Sequence, residues 1–197
     1  MPSSKRLNIA IVCSSNQNRS MEAHSFLSKK GFIVKSFGIG TTVKLPGPSS
    51  DKPNIYDFST TYDEMYKDLF SRDPHLYTQN GILHMLDRNR RIKPKPEQFQ
   101  RCYEHFDLVI TCEERIFDEV VLELLRREQT EYKALPCHVI NIDISDNQED
   151  ATIGAFMICD LCSMMEASED LDCDIENILQ AFETKSRRSV LHDILFA

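Results

Sequence analysis

Leu7-Asn8-Ile9-Ala10-Ile11-Val12-Cys13-Ser14-Ser15-Asn16-Gln17-Asn18-Arg19-Ser20 is the stretch on which the reading of this chain turns. Leu7–Val12 is a short β-prone run that ends at Cys13 and a polar loop, and helical spacing follows from about Ser20 to Lys30. Gly31 stops that helix, Phe32–Phe37 reads as a second strand, and Gly38-Ile39-Gly40 closes it. The result is one βαβ unit. The arrangement recurs at Asp107–Cys112 before a helix near Phe117–Arg127, and at His138–Asp143 before one near Asp150–Met165. Alternation of this kind predicts an α/β fold, a three-layer sandwich with a short, mainly parallel sheet.

The segment from Thr41 to Phe106 is too long for a single crossover helix, so an insertion is expected there. Its first part carries Pro46, Pro48 and Pro53, while Tyr62–Phe70 and Tyr77–Leu86 have helical spacing of apolar residues. The expectation is one domain over 1–197 with a cap at about 41–106 that overhangs the loop after the first strand. Near the C-terminus, Ile175–Phe182 reads as an amphipathic helix and Val190–Phe196 as a strand or docking tail.

Composition narrows the function classes. The chain has 197 residues, 41% hydrophobic and 27% charged, as in an ordinary folded protein. No apolar run reaches the roughly 18 residues needed to cross a bilayer, and the first residues do not read as a secretory signal, so no membrane association is expected. A formal net charge of −8 argues against a surface built for nucleic acid, so any anion site must be local. Seven irregularly spaced cysteines suit reduced thiols, placing the chain in the cytosol or nucleus.

The opening loop supplies a local anion site. Cys13 and Arg19 flank five residues between a strand and a helix. Backbone N–H groups of Ser14, Ser15, Asn16, Gln17, Asn18 and Arg19 at a helix N-terminus form a cup for phosphate oxygens, and Arg19 adds a bidentate contact. Cys13 then lies at the base of the cup, where the same positive charge favours the thiolate nucleophile. Ser20 can donate its hydroxyl to that thiolate or serve as a helix cap. Asn16 and Asn18 are suited to holding the loop's turns. A cysteine ending a strand is by itself more often a small buried hydrophobe; its position after the first α/β strand, with Arg19-Ser20 following, points to a phosphate-binding catalytic loop.

Phosphate leaving from serine needs a proton donor, and in a parallel sheet active groups gather at the carboxyl ends of strands. Asp143 ends the run His138–Asp143 and is the expected general acid. Asp146, three residues before Glu149, reads instead as a capping box opening the next helix. Asp107, Asp87 and Asp57 are weaker donors. Asp170-Leu171-Asp172-Cys173-Asp174 starts like a calcium loop but has Ile175 where glycine is needed, so an acidic helix start is expected. Cys159 and Cys162 have zinc-knuckle spacing without a second pair and read as packing residues. The six histidines show no paired ligand spacing, so no metal is expected. Arg88–Pro96 is the densest basic run, read as a solvated loop or an attractor of a phosphorylated, acidic or nucleic-acid partner.

Cys13 to Ser20 and the α/β pattern resemble the low-molecular-weight protein tyrosine phosphatases and their arsenate-reductase relatives. Cys13–His24, Val43–Gly47, Tyr77–Gly81 and His84–Arg88 are similar to one eukaryotic family within that group, which dephosphorylates the carboxy-terminal heptad repeats of RNA polymerase II in the cleavage-and-polyadenylation machinery. The resemblance runs over nearly the whole chain. It implies a phosphoserine substrate, at the fifth heptad position and also the seventh, with acceptance of the cis serine-proline bond. It places the nucleophile on Cys13, the phosphate arginine on Arg19, the acid on Asp143, and a substrate groove on Lys44, Leu45, Pro46, Tyr77 and Met85. It further implies symplekin as a scaffold partner, no cofactor, no direct nucleic-acid contact, and a nuclear location with the cytoplasm as a second. Two departures from the wider group are evident: Asn18 stands where tyrosine phosphatases usually have a second cysteine, and Ile144 rather than proline follows Asp143. The competing functions are a tyrosine phosphatase, an arsenate reductase, and a phosphopeptide-binding scaffold without turnover.

Overall fold

Asn8–Cys13 forms strand β1, and all but its first residue are buried, as expected for a strand covered on both faces. The computed structural model describes residues 6–128 and 135–196. After β1 come α1 (Arg19–Lys29), β2 (Ile33–Gly38), β3 (Val43–Leu45) and β4 (Asn54–Tyr56). Helices α2 (Tyr62–Arg72), α3 (Pro74–Gln79) and α4 (Ile82–Ile92) follow, then β5 (Leu108–Thr111), α5 (Glu114–Glu128), β6 (Pro136–Ile142), α6 (Gln148–Glu166), α7 (Leu171–Ser186) and β7 (Val190–Phe196). The main sheet has the order β2-β1-β5-β6-β7. β1 is parallel to β2 and β5, β5 is parallel to β6, and β7 closes the edge antiparallel to β6. Val190–Phe196, read as strand or tail, is thus a strand.

Topology fixes where chemistry can sit. The crossovers β1-α1-β2 and β5-α5-β6 run in opposite directions along the sheet, so right-handed connections put α1 and α5 on opposite faces. The order reverses between β1 and β5, and a crevice opens beyond the carboxyl ends of those strands. Cys13 ends β1 at this point. Helix α6 packs against α1, and α7 packs against α6. Cys159 and Cys162 are buried in the main core, so their spacing is that of a packing face.

The segment expected to form a cap contains a two-stranded antiparallel hairpin, β3 with β4, that its prolines concealed. Helices α2, α3 and α4 close over a second core of Met21, Val43, Leu45, Phe58, Tyr62, Met65, Leu69, Tyr77, Ile82, Leu83, Met85 and Leu86. Thr61 opens α2 with a capping box to Glu64. The single helix expected over Tyr77–Leu86 is instead broken at Gly81, whose φ of 81° is a conformation that glycine adopts without strain.

The basic run Arg88–Pro96 is neither a loop throughout nor a wholly free basic patch, because its first half is the last turn of α4 and four of its five cations are paired. Arg88 pairs with Glu22, Arg90 with Asp63 and Asp87, Arg91 with Asp87, and Lys93 with Glu97. Asp170 caps α7 by accepting from the Cys173 N–H, as the acidic helix start required.

On the inner side of α1, His24 Nδ1 lies 2.8 Å from Ser36 Oγ in β2. Burial lowers the pKa of this imidazole from 6.5 to about 4, with Lys93 adding to the effect and Glu97 opposing it. The unfolded chain therefore takes up a proton near pH 6.5 that the folded chain refuses until about pH 4, so stability is lost as pH falls through this window. His24→Asn should remove that contribution. Denaturant titrations at pH 7 and pH 5 are expected to show the parent losing on the order of 2 kcal/mol more than the variant between the two; equal losses would contradict the assignment.

Candidate functional site

Between β1 and α1 the loop Cys13–Ser20 is held by its neighbours before it holds anything else. Asn16 adopts a left-handed φ of 53°, tolerable for asparagine. Its Nδ2 donates to Ser20 Oγ at 3.0 Å and Ser36 Oγ at 3.1 Å, and its Oδ1 accepts from the Glu97 N–H at 3.0 Å. Its backbone carbonyl accepts from Tyr62 Oη at 2.7 Å, tying the loop to the cap. The Gln17 carbonyl accepts from Arg88 and Asn89, each at 2.9 Å. On the β2 side the Gly40 N–H donates to the Ser14 carbonyl at 3.0 Å, and a Cβ at Gly40 would stand 2.9 Å from that oxygen, which is why glycine is required there.

Cys13 is 3% exposed, and its Sγ lies 2.9 Å from Ser20 Oγ. Since Ser20 Oγ already accepts from Asn16, its one proton is free to point at the sulfur. Ser20 is not the helix cap, for Asn18 occupies that position. Arg19 is 5% exposed, and its Nη1 donates to the Ile144 carbonyl at 2.9 Å and to Glu113 Oε2 at 3.3 Å. Its Nε is buried without a hydrogen-bond partner and lies 3.7 Å from Asp146 Oδ1. Burial acts to lower the Arg19 pKa, but the charges of Cys13, Asp146, Cys112 and Glu113 outweigh it and hold the guanidinium above its ordinary value. The group is permanently cationic, and its Nε donor is left without a hydrogen bond.

These residues border a cleft of about 260 Å³ lined by Cys13, Ser14, Ser15, Gln17, Asn18 and Arg19 on the loop side. Asn16 is absent from that lining because its amide faces the opposite way, into the bolts just described. Lys44, Leu45, Pro46 and Met85 form part of the other wall, joined by Asn80 and Ile82, which the sequence reading missed. Tyr77 does not reach the cleft: it is 2% exposed in the cap core, where its hydroxyl accepts from Asn54 Nδ2, and that amide also donates to the Pro46 carbonyl. Its role in the groove is therefore indirect.

The expected acid, Asp143, is not brought to the cleft. Chain direction explains this: β6 ends at Ile142, Asp143 turns outward to accept from Asn141 Nδ2 at 2.9 Å, and Ile144 turns inward. Asp143 borders a neighbouring depression with Glu113, Glu114 and Arg188, which meets the cleft at Arg19 and Asp146. Asp146 lines the cleft instead, together with Asn147 and Gln148. The capping reading of Asp146 was offset by one residue, since Asn147 caps α6 by accepting from the Asp150 N–H at 2.9 Å. The Asn147-x-x-Asp150 spacing was a competing cap signal in the sequence. Of the weaker donors, Asp107 accepts from the Asn8 N–H at the far end of the sheet, Asp87 pairs with arginines, and Asp57 closes a turn at Ser59. Among the described residues no group of three or more His, Cys, Asp or Glu side chains could hold a metal ion.

A buried thiol backed by the Ser20 hydroxyl, a fixed guanidinium and a carboxylate thus border one opening, the set needed for nucleophilic phosphoryl transfer. Comparison with known proteins agrees. A model of the Ssu72-like protein family matches residues 7–197. The human RNA polymerase II C-terminal domain phosphatase SSU72 is 62% identical over 196 residues, covering 100% of both chains. A crystal structure of the Drosophila melanogaster serine phosphatase of the RNA polymerase II CTD superposes with a TM-score of 0.94 at 54% identity, covering 97% of this chain and 100% of that one. A D. melanogaster Ssu72 structure, with Symplekin and a cis peptidomimetic CTD peptide phosphorylated on the fifth-position serine, gives 0.91 at 52% identity, covering 98% and 99%. With residues 7–197 matched by the family model and full-length identity of 62% to a relative, the chain belongs to the Ssu72-like protein family.

Proposed function

We propose that this chain is a cysteine-dependent phosphatase that hydrolyses phosphoserine in the carboxy-terminal heptad repeats of RNA polymerase II through a phosphocysteine. The observation that carries the reading is the pairing, in one cleft, of the Cys13 sulfur beside Ser20 Oγ with the buried, unpartnered Arg19 Nε. Full-length identity to the human phosphatase supports the substrate. The Drosophila complex supports a Symplekin partner and a cis ligand phosphorylated on the fifth-position serine. A polymerase tail as substrate puts the work in the nucleus.

In this mechanism Arg19 and the loop N–H groups bind the phosphoryl oxygens, and the Cys13 thiolate attacks phosphorus. As the bond from phosphorus to the serine oxygen breaks, Asp146 gives that oxygen its proton. Asp146 then takes a proton from water, which attacks the phosphocysteine, and sulfur leaves as a thiolate stabilised by the Ser20 hydroxyl. The acid is assigned to Asp146 rather than Asp143 because only the former lines the cleft. Asn147, not proline, follows it, so this departure from the tyrosine phosphatases persists. Leu45, Pro46, Ile82 and Met85 give the cleft an apolar wall suited to the proline ring after the phosphoserine, with Lys44 at its rim.

Phosphate release from heptad peptides phosphorylated at single serines, with a phosphotyrosine peptide alongside, tests the assignment. Turnover should be greatest on phosphoserine and vanish in Cys13→Ser, whose oxygen does not ionise near neutral pH. Residual turnover in that variant, free of contaminating phosphatase, would falsify the nucleophile.

Asp146→Asn should slow phosphoserine hydrolysis by about a hundredfold or more and an activated aryl phosphate far less, because a good leaving group needs little protonation. Asp143→Asn should be mild on both. The reverse ranking would return the acid to Asp143.

At high enzyme concentration, release from a phosphoserine-proline peptide should be biphasic, with only the slow phase accelerated by a prolyl isomerase, since cis and trans exchange over tens to hundreds of seconds, a rough general figure. Met85→Glu should impair the peptide more than an aryl phosphate. A single isomerase-insensitive phase would show that both isomers are accepted.

A further inference from the structure

Asn18 stands at the start of α1, one residue before Arg19, where an ordinary asparagine would cap the helix. Its side chain makes no capping bond. Instead Nδ2 donates across the cleft to Asp146 Oδ1 at 3.0 Å, the bond that joins the first turn of α1 to the loop leading into α6. Arg19 Nε faces the same oxygen from 3.7 Å. The Asp146 side chain is 63% exposed and is not a cap for its own helix. Left alone, such a carboxylate would rotate freely in water, and fixing it costs conformational entropy.

We infer that Asn18 is the positioning residue for the general acid, clamping Asp146 Oδ1 so that Oδ2 carries the proton toward the serine oxygen. The inference rests on the assignment of Asp146 made above. Proton accounting supports it. An amide N–H can donate to Oδ1 when Asp146 is protonated on Oδ2 and equally when it is a carboxylate. The clamp therefore holds while Oδ2 gives its proton to the departing serine oxygen and while it later takes one from water. Asn18 is also well anchored, because its own carbonyl accepts from the Glu22 N–H at 2.9 Å within α1. The residue that stands here in place of a second loop cysteine thus has a task in the reaction of a poor leaving group. A thiol could not perform it, because S–H is a weak donor.

The test is steady-state kinetics of Asn18→Ala, Asn18→Asp, Asp146→Asn and the double variant Asn18→Ala/Asp146→Asn, on a phosphoserine heptad peptide and on p-nitrophenyl phosphate. Asn18→Asp keeps the shape of the side chain but sets a carboxylate against a carboxylate, and thermal melts verify that each variant folds. Asn18→Ala should lose about tenfold more kcat on the peptide than on the aryl phosphate, the scale expected for one hydrogen bond to a charged group. Asn18→Asp should lose at least as much. On the Asp146→Asn background, Asn18→Ala should add no further selective loss, since the two act as a unit. Equal losses on both substrates, or a selective loss that persists without the Asp146 acid, would overturn the positioning role while leaving Asp146 as the acid. If Asp146→Asn alone lowers both substrates equally, the acid assignment falls and the role of Asn18 falls with it.

Discussion

The side chain of Asn16 is the contact on which the rest of the site depends. One buried amide joins Ser20 in α1, Ser36 in β2 and the backbone at Glu97, and the carbonyl of the same residue receives the hydroxyl of Tyr62 from the cap. Each polar atom left unpaired in such a place would cost about 1–3 kcal/mol, so the sheet, the first helix and the cap are held to one mutual arrangement. The strained backbone at Asn16 is tolerated because these bonds over-determine it. With Ser20 Oγ occupied as an acceptor, its proton is left for the sulfur, and the environment of the nucleophile is set by a residue that does not line the cleft.

The cap is the second half of that arrangement. It carries its own apolar cluster, yet Met21 of α1 belongs to that cluster, so cap and main sheet share a helix. Arg88 and Asn89 of α4 reach the Gln17 carbonyl, and Lys93 reaches the Ser36 carbonyl at 2.6 Å. Most of the basic run is thereby engaged in internal bonds, in a chain of net charge −8. The guanidinium of Arg19 borders the cleft, fixed by carbonyls and Glu113 through Nη1 while its Nε makes no hydrogen bond, and Lys44 adds a second cation to the lining.

Much of this was legible from residue order. The strands of the parallel sheet could be read because burial on both faces demands apolar runs, and Gly31, Gly38 and Gly40 mark their punctuation. The phosphate loop could be read because nucleophile, cup and arginine are contiguous in sequence. The hairpin Val43–Leu45 with Asn54–Tyr56 could not, since three-residue strands among prolines carry too little periodicity. The single helix expected across Gly81 failed because apolar spacing is nearly continuous on both sides of a break made by one left-handed residue.

The α/β alternation, the position of Cys13 at a strand end and the Cys13 to Arg19 loop all depend on neighbours along the chain and follow from residue order. Which carboxylate lines the cleft alongside Cys13 is a matter of tertiary packing. Asp143 and Asp146 are equally plausible as residues, and the choice rests on a one-residue shift of the α6 cap to Asn147 and on the inward turn of Ile144, whose carbonyl anchors Arg19. It likewise decided that Tyr77 is core and that Asn18 reaches Asp146, a contact spanning 128 positions of the chain. Local propensity acts over a few residues, whereas the direction of a side chain at a strand-to-helix turn is set by the packing of elements far apart in sequence.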